Sequence, residues 1–218
     1  MKCISMIELI NQFNILYPLF STSSFQNGCI IQEGNVQYNN KDLLSITIRG
    51  ISGELFPYGF MNSSTSFYKI AKSRNPIISD NCDGILYTEV DGRKILLVCE
   101  LKSGFDIDRL CHAKEQIVGS YIRLRAQLSI LQSKTEYEFH GMIASYLPTS
   151  EKLTQIKNCN DRKAKFAKGL YIRNHYNMIE TNCKSFYYPI DVPGFTIHYV
   201  GVPLGCQNYE IGIRDIIK

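Results

Sequence analysis

The sequence predicts a mixed α/β domain, and three observations carry that prediction. Asp91-Gly92, a tight-turn dipeptide, joins two apolar stretches, DGILYTEV at 83–90 and KILLVCELK at 94–102, which is the strongest hairpin signal in the chain. A long segment with apolar residues at three- and four-residue intervals follows. A further apolar run, YEFHGMIASYL at 137–147, comes next, so strand, strand, helix and strand alternate. The 218 residues suffice for one domain, 1–218, around a single core.

The elements follow in order. ISMIELINQFNILY at 4–17 reads as a helix with Ile4, Ile7, Ile10, Ile15 and Leu16 near one side, stopped by Pro18. Residues 18–80 are rich in Ser, Asn and Gly and hold short extended candidates such as Leu43 to Ile48. The hairpin then begins at Asp83. After Ser103-Gly104, Asp106 or Asp108 can cap a helix reaching about Ser133, with Leu110, Ile117, Tyr121, Leu124, Leu128 and Leu131 on its apolar face. Beyond the 137–147 strand come a basic, partly helical stretch at 151–175 and a closing strand, FTIHYVGV, at 195–202.

Composition excludes several classes. With 44% hydrophobic and 20% charged residues the chain is globular, and a net charge of +4 is too small for a tail-type polycation. The eight cysteines form no C-x-x-C and no paired cluster, which argues against structural zinc or an iron–sulfur centre. Cys82 and Cys99 read as small buried hydrophobes on the face opposite the acids. His112, His140, His175 and His198 are scattered without metal-ligand spacing. No phosphate loop, G-x-S-x-G elbow or dinucleotide-binding glycine pattern occurs. The amino-terminal segment lacks a clean apolar signal core, and no run is long enough to span a membrane, so the expectation is a cytoplasmic protein with reduced thiols.

The hairpin's register selects the candidate site. A two-residue turn pairs Val90 with Arg93, so Asp83 falls opposite Glu100, and the period of two puts Lys102 on the same face. Two carboxylates across a strand pair repel unless something compensates them. A divalent cation does so, and magnesium accepts a few carboxylates together with water and phosphate oxygens. Lys102 can orient an attacking water or stabilise charge developing on phosphorus.

Asp83 followed by Glu100-Leu101-Lys102 resembles the PD-(D/E)XK nuclease superfamily, although Cys82 stands where that pattern has Pro. The resemblance covers residues 80 to about 147. It implies a restriction-endonuclease-like α-β-β-β-α-β core, with a mixed central sheet flanked by helices. It further implies that Asp83, Glu100 and the Leu101 carbonyl hold Mg²⁺, with Mn²⁺ as a substitute, and that Lys102 is catalytic. Gln116, in AKEQIVGSY, matches a glutamine that faces the site in many members. An acidic residue from an early helix is also implied, with Glu8 or Glu54 as candidates. A second acid-x-Lys triplet, Asp161-Arg162-Lys163, lies in a polar segment with no strand before it and reads as a chance match.

Seven cationic residues, Lys152, Lys157, Arg162, Lys163, Lys165, Lys168 and Arg173, stand against Glu151 and Asp161 within 151–175, a local net of +5. Phe166 and Tyr171 interleave with them, which suits a surface gripping a phosphate backbone, Lys163, Lys165, Lys168 and Arg173 being the named candidates. Arg123 and Arg125 form a second candidate patch. The expected function is hydrolysis of double-stranded DNA, leaving a 5′-phosphate, with self-association or partner subunits supplying specificity or activation. By resemblance, an effector subunit of a bacterial defence complex is the natural setting. A stand-alone restriction enzyme, a non-cleaving DNA-binding subunit and an RNA-cleaving member are the alternatives.

Overall fold

The structure, a computed structural model, describes residues 6–33, 44–57, 81–129, 137–178 and 194–217. The first described helix, α1 (Met6–Leu16), leads through a short 3-10 turn at Pro18–Phe20 to β1 (Ser23–Phe25) and β2 (Gly28–Gln32). Then come β3 (Ser45–Arg49), β4 (Gly53–Phe56), β5 (Gly84–Val90) and β6 (Arg93–Lys102). Helix α2 (Ile107–Leu128) leads to β7 (Glu138–Tyr146), α3 (Ser150–Asn158) and α4 (Arg162–Arg173). The described chain closes with β8 (His175–Asn177), β9 (Thr196–Val202), β10 (Asn208–Gly212) and the one-turn helix α5 (Ile213–Ile216).

The main sheet has the strand order β1-β4-β5-β6-β7-β9-β8. Strands β4, β5 and β6 are antiparallel neighbours, whereas β7 runs parallel to β6 and β9 parallel to β7. The switch from antiparallel to parallel is made by α2, because a parallel partner needs a crossover segment. Asp106 caps α2 by accepting from the Arg109 amide at 2.9 Å. The predicted helix is thus present, and Ser133 and Leu131 lie outside the described residues.

Two apolar clusters sandwich this sheet. On one side α1, α2, α3 and α4 bury Phe13, Ile117, Leu124, Ile156 and Leu170 against Ile85, Val98, Ile143 and Ile197. On the other side lies a small sheet of order β10-β3-β2 with the one-turn helix α5, so the mixed sheet is flanked by helices as expected. Its Ile31, Ile46 and Ile48, with Ile213 and Ile216 of α5, cover Leu86, Leu97, Leu101 and Ala144. With both faces covered, β6 and β7 are almost continuously buried, which is why their sequences are apolar rather than alternating.

Three details correct the sequence reading. In α1 the buried stripe is Leu9, Ile10 and Phe13, whereas Ile7 and Ile15 are 73% and 80% exposed. Leu9 and Phe13 are four apart and follow the 3.6-residue period more closely than a set running from Ile7 to Leu16; Ile4 lies outside the described residues. Cys99 faces the small-sheet cluster as expected, but Cys82 packs in the helix-side cluster, because the β5 pleat begins only at Gly84. Arg123 is 0% exposed and donates to Ser120 Oγ, so it forms no surface patch; Arg125 is exposed.

Phe13 packs edge-on against Phe56, with ring centroids 5.1 Å apart. Phe13→Ala is therefore expected to cost about 3–5 kcal/mol in urea unfolding, and Ile15→Ala less than about 0.5 kcal/mol. Equal losses for the two would refute this assignment of the helix face.

Candidate active site

The hairpin forms in the expected register. Asp91 and Gly92 both take left-handed backbone angles, φ 51° and 76°, as a two-residue turn of this kind requires. Val90 pairs with Arg93, and the ladder runs unbroken to Gly84 opposite Cys99. Asp83 lies just beyond the ladder and does not pair with Glu100 in it: its amide donates to the Cys99 carbonyl at 3.0 Å and to the Glu100 side chain, Oε2, at 3.2 Å. In return Asp83 Oδ2 accepts from the Leu101 amide at 2.6 Å, which fixes this carboxylate against the end of β6. The Leu101 side chain points to the opposite, small-sheet cluster.

Glu100 is 1% exposed, an unusual place for an acid. Burial, and then the neighbouring Asp83, push its carboxyl well above the ordinary range, while Lys102 pulls the other way. Lys102 Nζ lies 2.5 Å from Glu100 Oε1 and donates also to Gln116 Oε1 at 2.6 Å. Gln116 Nε2 in turn donates to the Asn81 carbonyl at 2.7 Å. Gln116 can reach because its neighbours Ala113, Ile117 and Val118 bury that side of α2 against the sheet. Asp83, Glu100, Lys102 and Gln116 thus meet at one end of the hairpin.

Sequence reading missed the residues that steer this cluster. Ser120 Oγ accepts from the Cys82 amide at 2.9 Å and so holds the approach to Asp83. Burial raises the Cys82 thiol to about 12, leaving it a neutral packing group. Glu33, just after β2, accepts from the Ser103 amide at 3.3 Å. Its only signal in the sequence is an acid at a strand end, which is too common to single out.

Of the two early acids, Glu54 is engaged away from the cluster. Glu54 accepts from Thr22 Oγ1 at 2.8 Å and Ser24 Oγ at 2.5 Å, and it stands opposite Tyr87, well up the sheet from Asp83. Glu8 is exposed in the first turn of α1. Asp161 caps α4 by accepting from the Ala164 amide at 2.6 Å, a structural duty that accounts for the second acid-x-Lys triplet.

The basic stretch divides its labour. Lys168 donates to the Lys157 and Cys159 carbonyls, both at 2.8 Å, closing the end of α3. Lys163 pairs with Asp108 of α2 at 2.7 Å on the surface. Lys165 is exposed, and Arg173 is exposed at the end of α4. Parallel pairing of β7 and β9 unites two of the histidines that look scattered in sequence: His140 Nδ1 and His198 Nε2 lie 3.0 Å apart. Burial and the neighbouring His140 hold His198 down at about 4, so the pair is neutral at pH 7. It lines a cleft of about 700 Å³ with Arg93, Arg173 and Tyr209, among others, apart from the carboxylates.

Comparison with protein-family models, with curated proteins and with solved structures finds no match to this chain. Among the described residues no helix is long and apolar enough to cross a membrane. Six described cysteines are free thiols, and Cys3 and Cys183 lie outside the described residues.

The raised Glu100 carboxyl has a measurable sign. The folded state favours its protonated form, so stability is greatest below the ordinary range near 4.5 and is lost as pH rises. In metal-free buffer the Tm of the natural chain should fall relative to Glu100→Gln as pH rises above about 4.5, by about 2–4 °C for each kcal/mol. A pH-independent Tm difference in calorimetry would contradict the burial argument.

Proposed function

We propose that this protein is a metal-dependent nuclease that hydrolyses phosphodiester bonds in double-stranded DNA. The observation that carries the reading is the convergence of Asp83, Glu100, Lys102 and Gln116 at one sheet end. The order α1, antiparallel β4-β5-β6, α2, then β7 parallel to β6 agrees with the α-β-β-β-α-β core that the PD-(D/E)XK resemblance implies. The membership itself is part of the proposal.

The residues fit a hard divalent cation. Two carboxylates come from the end of β6 and the residue before β5, and one is buried enough for its ionisation to be disfavoured without added positive charge. Among the described residues no cluster of three Asp, Glu, His or Cys side chains could hold a metal. Magnesium keeps several waters and takes substrate phosphate oxygens beside one or two carboxylates. Asp83 and Glu100 would hold it, and when bound it would neutralise phosphate charge and make water more acidic.

The chain's own groups do the rest. The Leu101 amide restrains Asp83, and the Asp83 amide restrains Glu100, so neither carboxylate reorganises when substrate arrives. Gln116 and Glu100 together aim the Lys102 ammonium, a compact donor for a water or for the oxygens around phosphorus. Partner subunits or self-association would supply specificity or activation, with an effector role in a bacterial defence complex as the setting the resemblance suggests.

One observation favours a rival. Lys102 Nζ is already engaged by Glu100 Oε1 at 2.5 Å, as in a purely structural contact, so a non-cleaving DNA-binding subunit of the same fold is the second reading. A plasmid-nicking assay decides between them. The nuclease nicks or linearises DNA with Mg²⁺, stops in EDTA, and loses about 10²–10³-fold in rate with Lys102→Ala. DNA retention without cleavage by the natural chain, alone and with candidate partners, would establish the rival.

A further inference from the structure

Two cations meet beside a backbone position that carries no side chain. Gly104 lies two residues beyond Lys102, in the turn that joins β6 to α2. A first side-chain carbon placed there would stand 3.5 Å from Arg109 Nη1 and 4.0 Å from Lys152 Nζ. Arg109 comes from the first turn of α2 and Lys152 from the first turn of α3. Arg109 is held in place by Ser103 Oγ at 3.2 Å and Asp106 Oδ2 at 3.1 Å. Lys152 is half-buried, and its ammonium has no hydrogen-bond or ion-pair partner among the described residues. Nearby acids are otherwise engaged: Asp106 holds Arg109, Glu33 takes the Ser103 amide, and Asp108 pairs with Lys163.

Asp106 balances much of the Arg109 charge but nothing among the described residues pairs the Lys152 ammonium, so an anion at this open point is drawn chiefly by Lys152 and steadied by Arg109. The missing side chain leaves room for it. Gly104 does not need glycine for its backbone angles, since it is absent from the positive-φ residues, so the open space is the property that another residue would remove.

We infer that Arg109 and Lys152 form a subsite for a DNA backbone phosphate flanking the one at Lys102, with Gly104 providing the space for its oxygens. The inference rests on the nuclease reading for its place along the strand, whereas the binding itself needs no catalysis. A contact of this kind positions the duplex and reads no base. It also shifts the expected grip from the far end of the 151–175 segment to its beginning, beside the catalytic cluster.

The test is equilibrium binding of a fluorescent DNA duplex, followed by anisotropy in EDTA between about 50 and 200 mM salt. Lys152→Ala is expected to weaken binding several-fold and to reduce the slope of log affinity against log salt by about 1. Gly104→Asp, which supplies the subsite with its own carboxylate, is expected to weaken binding about tenfold or more. Gly104→Ala puts a methyl where the phosphate oxygens would sit and is expected to weaken binding several-fold, less than Gly104→Asp. Circular dichroism melts establish that each variant is folded, and Lys152→Ala, at a half-exposed position, carries the test if Gly104→Asp does not fold. Natural affinity and natural salt slope in folded Lys152→Ala would overturn the inference, as would a natural chain that binds no duplex. Binding that depends on Lys152 without cleavage in Mg²⁺ would remove the nuclease reading and keep the subsite, and cleavage with binding indifferent to Lys152 would do the reverse.

Discussion

Every polar contact at the candidate site depends on the two-residue turn at Asp91-Gly92. Because both residues take left-handed angles, Val90 stands opposite Arg93 and the ladder reaches Gly84 and Cys99 without a bulge. One residue more or fewer would exchange the faces of β6. Leu101 would then turn toward α2, and Glu100 and Lys102 would press into the Ile31 and Ile46 layer. The apolar alternation on both faces makes such a slip costly, so the same residues that build the core also hold the acids in place.

The register sets up an electrostatic conflict that the surrounding fold maintains. Glu100 is buried beside Asp83, and burying a carboxylate is unfavourable unless it is paired and hydrogen-bonded. The Lys102 ammonium, held in place by Gln116, and the Asp83 amide supply part of that compensation. Behind them Ser120, with Arg123 at its back, fixes the Cys82 amide, so the segment entering β5 cannot swing away. The arrangement is stiff and short of positive charge at the carboxylates, a combination suited to receiving a small dication and a phosphate.

Much of this was legible in the sequence, for reasons that can be named. The hairpin, α2 and β7 show strong local signals: a turn dipeptide with one favoured geometry, an Asp cap, and apolar runs of characteristic period. Glu100 and Lys102 follow from register arithmetic once the turn is known, whereas Asp83, just beyond the ladder, meets Glu100 through its side chain instead of by direct pairing. Gln116 could be placed on α2 but not aimed, because a residue adjacent to Ile117 can face solvent or the sheet end. The long-range features left no local trace. The small sheet joins β10 to β3 across most of the chain, and the contact of His140 with His198 depends on two parallel strands meeting. Arg123 looked like a surface cation because arginine seldom lies wholly buried. In α1 every candidate stripe was apolar, so only packing against Phe56 distinguished Phe13 from Ile15.

The central claim is that the paired carboxylates form a seat for a hard cation next to Lys102. Anomalous diffraction from crystals soaked in manganese tests it most directly. The account requires a peak within bonding distance of both Asp83 and Glu100 that disappears in Glu100→Gln. Well-diffracting soaked crystals with manganese bound elsewhere, or with both carboxylates bare and Lys102 still closed onto Glu100, would contradict it.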